Sequence, residues 1–392
     1  QIRFGEDLMS RVSYVMMNPD GREAMTSAVR EAVNGLIDKV CAEGGISADD
    51  ILDAVFVANP VMHHLFLGID PTELGQAPFA LAVSGAVRTS TAELGLKANE
   101  GARVYLLPCI AGHVGADAAA ATLSEGPHRQ ERMMLLVDVG TNAEIVLGNR
   151  ERVVAASSPT GPAFEGAEIS SGQRAAPGAI ERVRIDAQTL EPRFRIIGSE
   201  KWSDEDGFAQ DAARLGVTGI CGSAIIEVVA EMFLAGIISE DGVVDGALAQ
   251  RSARIVANGR TFSYLLHDGS PRIAVTQNDV RAIQLAKAAL YAGIRLLMEK
   301  QGVAQVDTIR FAGAFGSFID PKYAMVLGLI PDCDLAEVKA VGNAAGTGAT
   351  MALLNRDHRR EIEATVKRIE KIETALEPHF QQLFVDAMAL PN

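Results

Sequence analysis

The chain predicts a two-lobed α/β protein, and three observations carry that expectation. Apolar spacing alternates between short strand-like runs and helical stripes along its 392 residues. The two halves share a coarse order of helix, strand, Gly-containing turn and helix, with a three-strand meander opening only the second. The composition, 48 % hydrophobic, 22 % charged and 5 % aromatic, is that of an Ala-, Gly- and Val-rich globular chain with core enough for two lobes.

Residues 5–17 and 22–42 carry helical spacing through Leu8, Val12 and Val15, then Met25, Val29, Val33, Ile37 and Val40. Residues 51–58 read as a strand that runs through Asn59-Pro60 into a helix over 61–67, and 70–100 read as irregular. Residues 103–107 form another strand, ending in a Pro108–Asp117 turn and an Ala-rich helix to Leu123. Residues 124–132, with Gly126-Pro127 and several charges, mark the boundary between 1–125 and 133–392. Beyond it, strands are expected at 133–139, 143–148 and 152–157, then a Gly-rich stretch and a β-rich insertion at about 181–210. A helix over 219–236 and a strand or hairpin near 252–275 follow. The helix over 276–300 has Thr276 as N-cap, Asp279 three residues on, and a stripe of Val280, Ile283, Leu290, Ile294 and Leu297. A strand at 308–312 breaks into Gly313-Ala314-Phe315-Gly316, and helices over 344–355 and 357–376 close the chain.

Charge and cysteine usage exclude several classes of function. A formal net charge of −14 argues against nucleic acid and anionic membrane as partners, since both require clustered Lys and Arg. Cys41, Cys109, Cys221 and Cys333 lie 68, 112 and 112 residues apart, so neither a disulfide framework nor a zinc or iron–sulfur site is supported within these residues. Buried reduced thiols in a cytoplasmic protein are expected. The most apolar stretch, 224–238, is interrupted by Glu227 and Glu231, so no span is expected. The chain starts Gln-Ile-Arg-Phe without an initiator Met, and is expected to be a fragment of something longer.

The most informative motif is Asp138-Val-Gly-Thr-Asn142 between two apolar strands. A carboxylate at a strand end can face Mg²⁺ or its bound water, Gly140 allows a tight turn near phosphate oxygens, and Thr141 and Asn142 add neutral donors. A plain hairpin with a polar turn is the competing reading. Three Gly-rich turns follow. Thr218–Ser223 opens an apolar helix whose first N–H groups, with Gly222 and Ser223, suit an anion. Gly313-Ala314-Phe315-Gly316 follows a strand and would let backbone lie against a purine face. Val341–Ala349 opens a small-residue helix.

Asp-x-Gly-Thr, a Gly-rich helix start and strand-Gly-x-x-Gly, in that order, resemble the actin, hexokinase, sugar-kinase and heat-shock-chaperone superfamily. That resemblance implies two duplicated actin/hexokinase-like lobes, each a mixed sheet flanked by helices, with the first lobe lacking its opening strands. It makes Asp138–Asn142 the second phosphate loop, Gly313–Gly316 the adenosine loop and Gly342–Gly348 a connecting helix. Several strings narrow it: Arg3-Phe-Gly-Glu-Asp-Leu-Met-Ser-Arg11, Ala58-Asn-Pro-Val-Met-His-His64, Pro159-Thr-Gly-Pro-Ala-Phe-Glu-Gly166, Ser171-Gly-Gln-Arg-Ala-Ala-Pro-Gly178 and Gly219-Ile-Cys-Gly-Ser223. These are similar to the ATP-dependent reductive activators of corrinoid proteins, over nearly the whole chain.

The family implies ATP with Mg²⁺ as ligand, and as partner a corrinoid protein or B12-dependent methyltransferase restored from Co(II) to Co(I). It also implies a [2Fe–2S] domain and a first phosphate loop upstream of Gln1. The chain by itself is then expected to bind ATP weakly, with a dissociation constant of roughly the high-micromolar range, and to hydrolyse none. A homodimer that caps an open sheet edge is a further expectation. Ala58-Asn59-Pro60 departs from the family's Gly-Asn-Thr. A small-molecule kinase of the same superfamily and a non-catalytic docking scaffold remain the competing functions.

Individual residues keep two readings at this level. Asp138 is a catalytic or metal-side ligand, or a turn cap. Asp117 polarises attacking water, or is a first-turn helix residue. Glu165 orients water, or caps a helix. Glu144 faces a cleft or the surface, and Arg174 touches phosphate or a carbonyl. His63 and His64 are expected to be one core and one surface histidine. Trp202 contacts a partner or packs locally.

Overall fold

The computed structural model describes residues 3–5 and 7–391, so Glu6, inside the Arg3–Arg11 string, lies outside the described residues. The structure is mixed α/β, as expected. Its largest sheet has six strands in the order Val338–Gly342, Thr308–Ala312, Met134–Val139, Ala143–Gly148, Val153–Ser158 and Glu370–Lys371. The chain divides into two compact units: residues 1–136, 144–157 and 341–373, and residues 137–143, 158–340 and 374–392.

In the first unit, helix Leu8–Met17 starts with Asp7 and Ser10 capping each other and buries Leu8, Val12 and Val15, as their spacing requires. Helix Gly21–Gly44 follows and ends on Gly45 at φ +62°. Asn59 caps helix Pro60–Leu67 by accepting the Met62 N–H at 2.9 Å, so this Asn has a structural task. A three-stranded sheet places Arg103–Leu106 between a parallel Asp53–Phe56 and an antiparallel Val87–Ser90. That last strand corrects the expectation of an irregular 70–100. It is four residues long and mostly polar, and carries almost no period-2 signal.

Helices Ala116–Glu125 and Ala344–Leu354 pack against each other through small residues. A Cβ on Gly348 would lie 2.0 Å from the Ala120 carbonyl oxygen, so glycine sets how closely the helices approach. The helix expected over 357–376 ends earlier, at Arg368. Ile369 turns extended, and Glu370–Lys371 pairs parallel with Val154 and Ala155. The register gained there ends the helix despite its favourable composition.

In the second unit, helix Gln277–Gln301 has the Thr276/Asp279 capping box, and all five residues of its stripe are buried. Strands Pro192–Ile196, Ala179–Ile185 and Gly219–Ile220 form one small sheet, and Ile255–Asn258, Thr261–Asp268 and Arg272–Val275 another. Helix Gly222–Leu234 lies against the first of these and uses its two interrupting acids to hold it. Glu227 accepts from the Val183 N–H at 2.9 Å and from Arg182 and Arg184 at 2.6 and 2.7 Å. Glu231 accepts from the Ile185 N–H at 2.9 Å and from the Tyr323 hydroxyl. Both carboxylates are buried and fully engaged. Among the described residues no helix is long and apolar enough to cross a membrane.

Candidate nucleotide site

Strand Met134–Val139 delivers Asp138 one residue before its end, with four buried apolar residues behind it. The side chain is half-buried, and among the described residues it accepts no hydrogen bond. Burial alone therefore pushes its pKa above the ordinary carboxylate range. The turn that follows is braced from below. The Thr160 hydroxyl donates to the carbonyls of Gly140 and Thr141 at 2.7 and 3.1 Å, and the Gly161 N–H to that of Thr141 at 2.9 Å. Gly140 donates to the Asn142 carbonyl at 3.2 Å, and the Thr141 hydroxyl reaches Glu165 Oε1 at 2.9 Å.

Gly313 begins a single helical turn, Gly313–Gly316, directly after strand Thr308–Ala312. Its φ is +82°, and an added Cβ would stand 2.3 Å from Asp138 Oδ1. Only glycine lets this backbone approach the carboxylate.

Beside this corner is a cavity of about 570 Å³, within the size range of small-ligand sites. Its walls include Glu165, Gly222, Ser223, Ala314 and Phe315, together with Phe164, Gln173, Arg174, Glu181 and Phe318. Helix Gly222–Leu234 opens into it with no side-chain cap. Among the described residues, its Gly222, Ser223 and Ala224 N–H groups have no acceptor. A Cβ on Gly222 would lie 2.0 Å from the Phe164 carbonyl oxygen and 2.6 Å from Phe315, so this glycine lets three wall elements meet. Arg195 holds Glu181 at 2.9 Å, and the Gln173 amide holds Thr218 at 3.0 Å. The wall is thus apolar and aromatic with a few fixed polar groups, which suits a flat heterocycle carrying an anionic tail.

The second unit therefore gathers Asp138, Gly140, Thr141, Asn142, Glu165, Gly222, Ser223 and Gly313–Gly316. Asp117 lies in the first unit, in the first turn of helix Ala116–Glu125, where its Oδ1 accepts the Ala118 N–H at 2.9 Å. Phe164, Gln173 and Ala175–Pro177 lie inside the Pro159–Gly166 and Ser171–Gly178 strings, which gave them no role of their own, whereas Glu181 and Phe318 were not foreseen and lie in no motif.

Asp138 fits a role beside Mg²⁺, being a half-buried carboxylate without a partner next to a glycine-lined approach. No group of three or more His, Cys, Asp or Glu among the described residues could hold a metal alone. Mg²⁺ takes few protein carboxylates and keeps phosphate and water ligands, so one carboxylate such as Asp138 is the kind of contact it uses. Cys41, Cys109 and Cys221 are buried, as expected of reduced thiols, and Cys333 is only half-buried.

Elsewhere, one expectation fails: His63 and His64 are both buried. Helix Pro60–Leu67 is buried on nearly every side, so it has no surface face to offer. His64 Nδ1 donates to the Pro60 carbonyl at 2.8 Å and its Nε2 accepts the Ala82 N–H at 3.1 Å. Neither ring nitrogen of His63 has a hydrogen bond of ordinary geometry, and burial lowers its pKa to about 4. Trp202 packs locally, under the guanidinium groups of Arg193 and Arg184 at 4.9 and 5.6 Å from its ring centre.

The sequence matches two family models, the RACo middle region over residues 1–130 and the C-terminal ASKHA domain of RACo over residues 132–392. It is similar to the corrinoid activation enzyme RamQ of Eubacterium limosum, 34 % identical over 397 aligned residues, covering 98 % of this chain and 64 % of that protein. It is also similar to the [Co(II) methylated amine-specific corrinoid protein] reductase of Methanosarcina barkeri, 27 % identical over 277 residues, covering 68 % of this chain and 47 % of that one. Among solved structures it resembles a reductive activator for corrinoid, iron-sulfur protein, with a TM-score of 0.82 and 33 % identity, covering 99 % of this chain and 60 % of that one. The chain thus spans less than two thirds of the length of these relatives. With the two models together matching residues 1–130 and 132–392, the chain belongs to the RACo family and carries its middle region and its C-terminal ASKHA domain.

Proposed function

We propose that these residues form the nucleotide-dependent part of a reductive activator that returns the cobalt of a corrinoid protein from Co(II) to Co(I). The observation that carries this reading is the adjacency, within the second unit, of the 570 Å³ cavity and the unpartnered Asp138 carboxylate. Gly313–Phe315 and the Thr141–Glu165 hydrogen bond join the two. In this reading Phe315 and the Gly222 backbone receive the adenine, and the open N–H groups at the start of helix Gly222–Leu234 favour the anionic phosphate end of the nucleotide. Asp138 holds Mg²⁺ or its water, which when bound neutralises phosphate charge. Thr141 and Asn142 bind phosphate oxygens, and Glu165 positions the Thr141 hydroxyl.

Reducing Co(II) to Co(I) is uphill for an ordinary [2Fe–2S] donor, so nucleotide and partner binding must shift the balance. The electrons come from a [2Fe–2S] centre outside these residues, and the partner is the corrinoid protein of a methyltransferase system. The curated relatives, named for corrinoid activation and Co(II) corrinoid reduction, support the reading.

The test uses the natural protein that carries these residues, ATP·Mg²⁺ and a Co(II) corrinoid protein, with Co(I) followed by its absorbance. Asp138→Ala should keep its fold and lose at least about 10²-fold in ATP-dependent reduction. Reduction at the wild-type rate in a folded Asp138→Ala protein would refute the assignment.

A further inference from the structure

We infer that the first unit carries a second binding surface, an arginine-lined concavity that docks a carboxylate-rich segment of a partner protein. It is independent of the nucleotide site and lies wholly within one unit. The concavity has a volume of about 300 Å³ and is lined by five arginines: Arg88, Arg103, Arg356, Arg359 and Arg360. They come from two neighbouring strands, Val87–Ser90 and Arg103–Leu106, and from the first five residues of helix Arg356–Arg368. In a chain of formal net charge −14, a hollow whose lining holds five arginines and no acidic residue concentrates positive charge locally.

The ion pairs show which of them are spoken for. Arg88 pairs with Glu363, Arg359 with Asp53 at 2.9 Å, and Arg360 with Asp357 at 3.1 Å. A further acid, Glu93, accepts from the Thr89 hydroxyl at the rim. Arg103 and Arg356 have no ion pair among the described residues, and both are exposed.

The frame beneath them is rigid. The Tyr105 ring sits under Arg88 and Arg359, whose guanidinium carbons lie 5.2 and 4.8 Å from its centre, and its hydroxyl donates to Glu363 at 2.9 Å. The side chain of Arg359 also donates to the Ala352 carbonyl at 2.6 Å. Two fixed cations, Arg88 and Arg359, therefore back the hollow, and Arg103 and Arg356 add two open guanidinium forks whose planar geometry matches carboxylates or phosphates bidentately.

Exposure chooses between those sources. The Arg360 and Arg88 side chains are 80 % and 61 % exposed, so a single small anion there would be held through water-screened contacts. A protein segment bearing several carboxylates engages several guanidiniums at once and excludes that water. The surface thus fits an acidic face of a protein partner rather than a free oxyanion.

The test measures binding of a fluorescein-labelled hexaglutamate peptide to the intact protein by anisotropy at low ionic strength. Saturable binding that falls steeply with added salt is expected. An Arg103→Glu/Arg356→Glu double variant should weaken it at least tenfold, while Arg260→Glu, at a hairpin tip of the second unit, should leave it unchanged. Should the double reversal perturb folding, as judged by circular dichroism, Arg103→Gln/Arg356→Gln is the substitute. ATP hydrolysis should be unaffected in each. Absence of saturable binding, or equal weakening by Arg260→Glu, would overturn the proposal. Displacement of the peptide by low-millimolar inorganic phosphate would also overturn it, by assigning the hollow to small oxyanions.

Discussion

Gly313→Ala should damage both the stability of the second unit and its chemistry, and the two costs can be separated. The glycine stands at φ +82°, a region that costs an L-residue roughly 1–2 kcal/mol. The new methyl would also lie 2.3 Å from Asp138 Oδ1, so the carboxylate has to retreat by about 1 Å to reach ordinary contact. The total destabilisation is expected at about 2–3 kcal/mol, read as a lower urea midpoint at unchanged slope. In the proposed reading Asp138 stands beside phosphate, where a displacement of about 1 Å is enough to cost about 10²-fold in nucleotide hydrolysis. Gly316→Ala is the matched comparison. No positive φ is required there and its nearest neighbour would be Phe311 Cβ at 3.2 Å, so less than about 1 kcal/mol is expected. In an Asp138→Ala background the steric part should vanish and leave only the backbone cost. Equal effects of Gly313→Ala and Gly316→Ala, or a Gly313→Ala penalty that Asp138→Ala does not relieve, would refute the reasoning.

Two further outcomes follow from buried groups. Lys287 is fully buried, donates to the Ala389 carbonyl, and has its pKa lowered by desolvation from 10.5 to about 7. The unfolded chain then binds the extra proton between those two values, so this group makes stability rise as pH is raised from about 7 to about 10.5, by at most about 5 kcal/mol. Urea titrations across that window should show the rise, and Lys287→Met should flatten it. Gly348→Val forces side-chain atoms into the Ala120 carbonyl and should cost at least about 2 kcal/mol by separating helices Ala116–Glu125 and Ala344–Leu354, measured as a lowered melting temperature.

Much of this protein was legible because its local signals agree with its tertiary needs. The Thr276/Asp279 cap, the Val280–Leu297 stripe and the hairpin around Asp138 all stand where their spacing puts them. What failed was decided by partners remote in sequence. Val87–Ser90 becomes a strand because Arg103–Leu106 pairs with it, not because its residues favour one. Helix Arg356–Arg368 stops because Val154 and Ala155 accept a strand beside them. His63 and His64 share burial because their short helix has neighbours on every side. The candidate site divides in the same way. Its glycines and Asp138 announce themselves through turn chemistry. Glu181, Gln173 and Phe164 join the cavity wall only when separate elements converge.

Whether the second unit holds a nucleotide is the central question, and a calorimetric titration of the 392-residue chain with ATP·Mg²⁺ tests it most directly. Weak binding is expected, with a dissociation constant no better than roughly the high-micromolar range. Phe315→Ala should weaken it about tenfold, the loss of one aromatic stacking partner, and adenosine should compete. A chain that takes up no ATP, or one whose affinity is the same with and without the Phe315 ring, would contradict it.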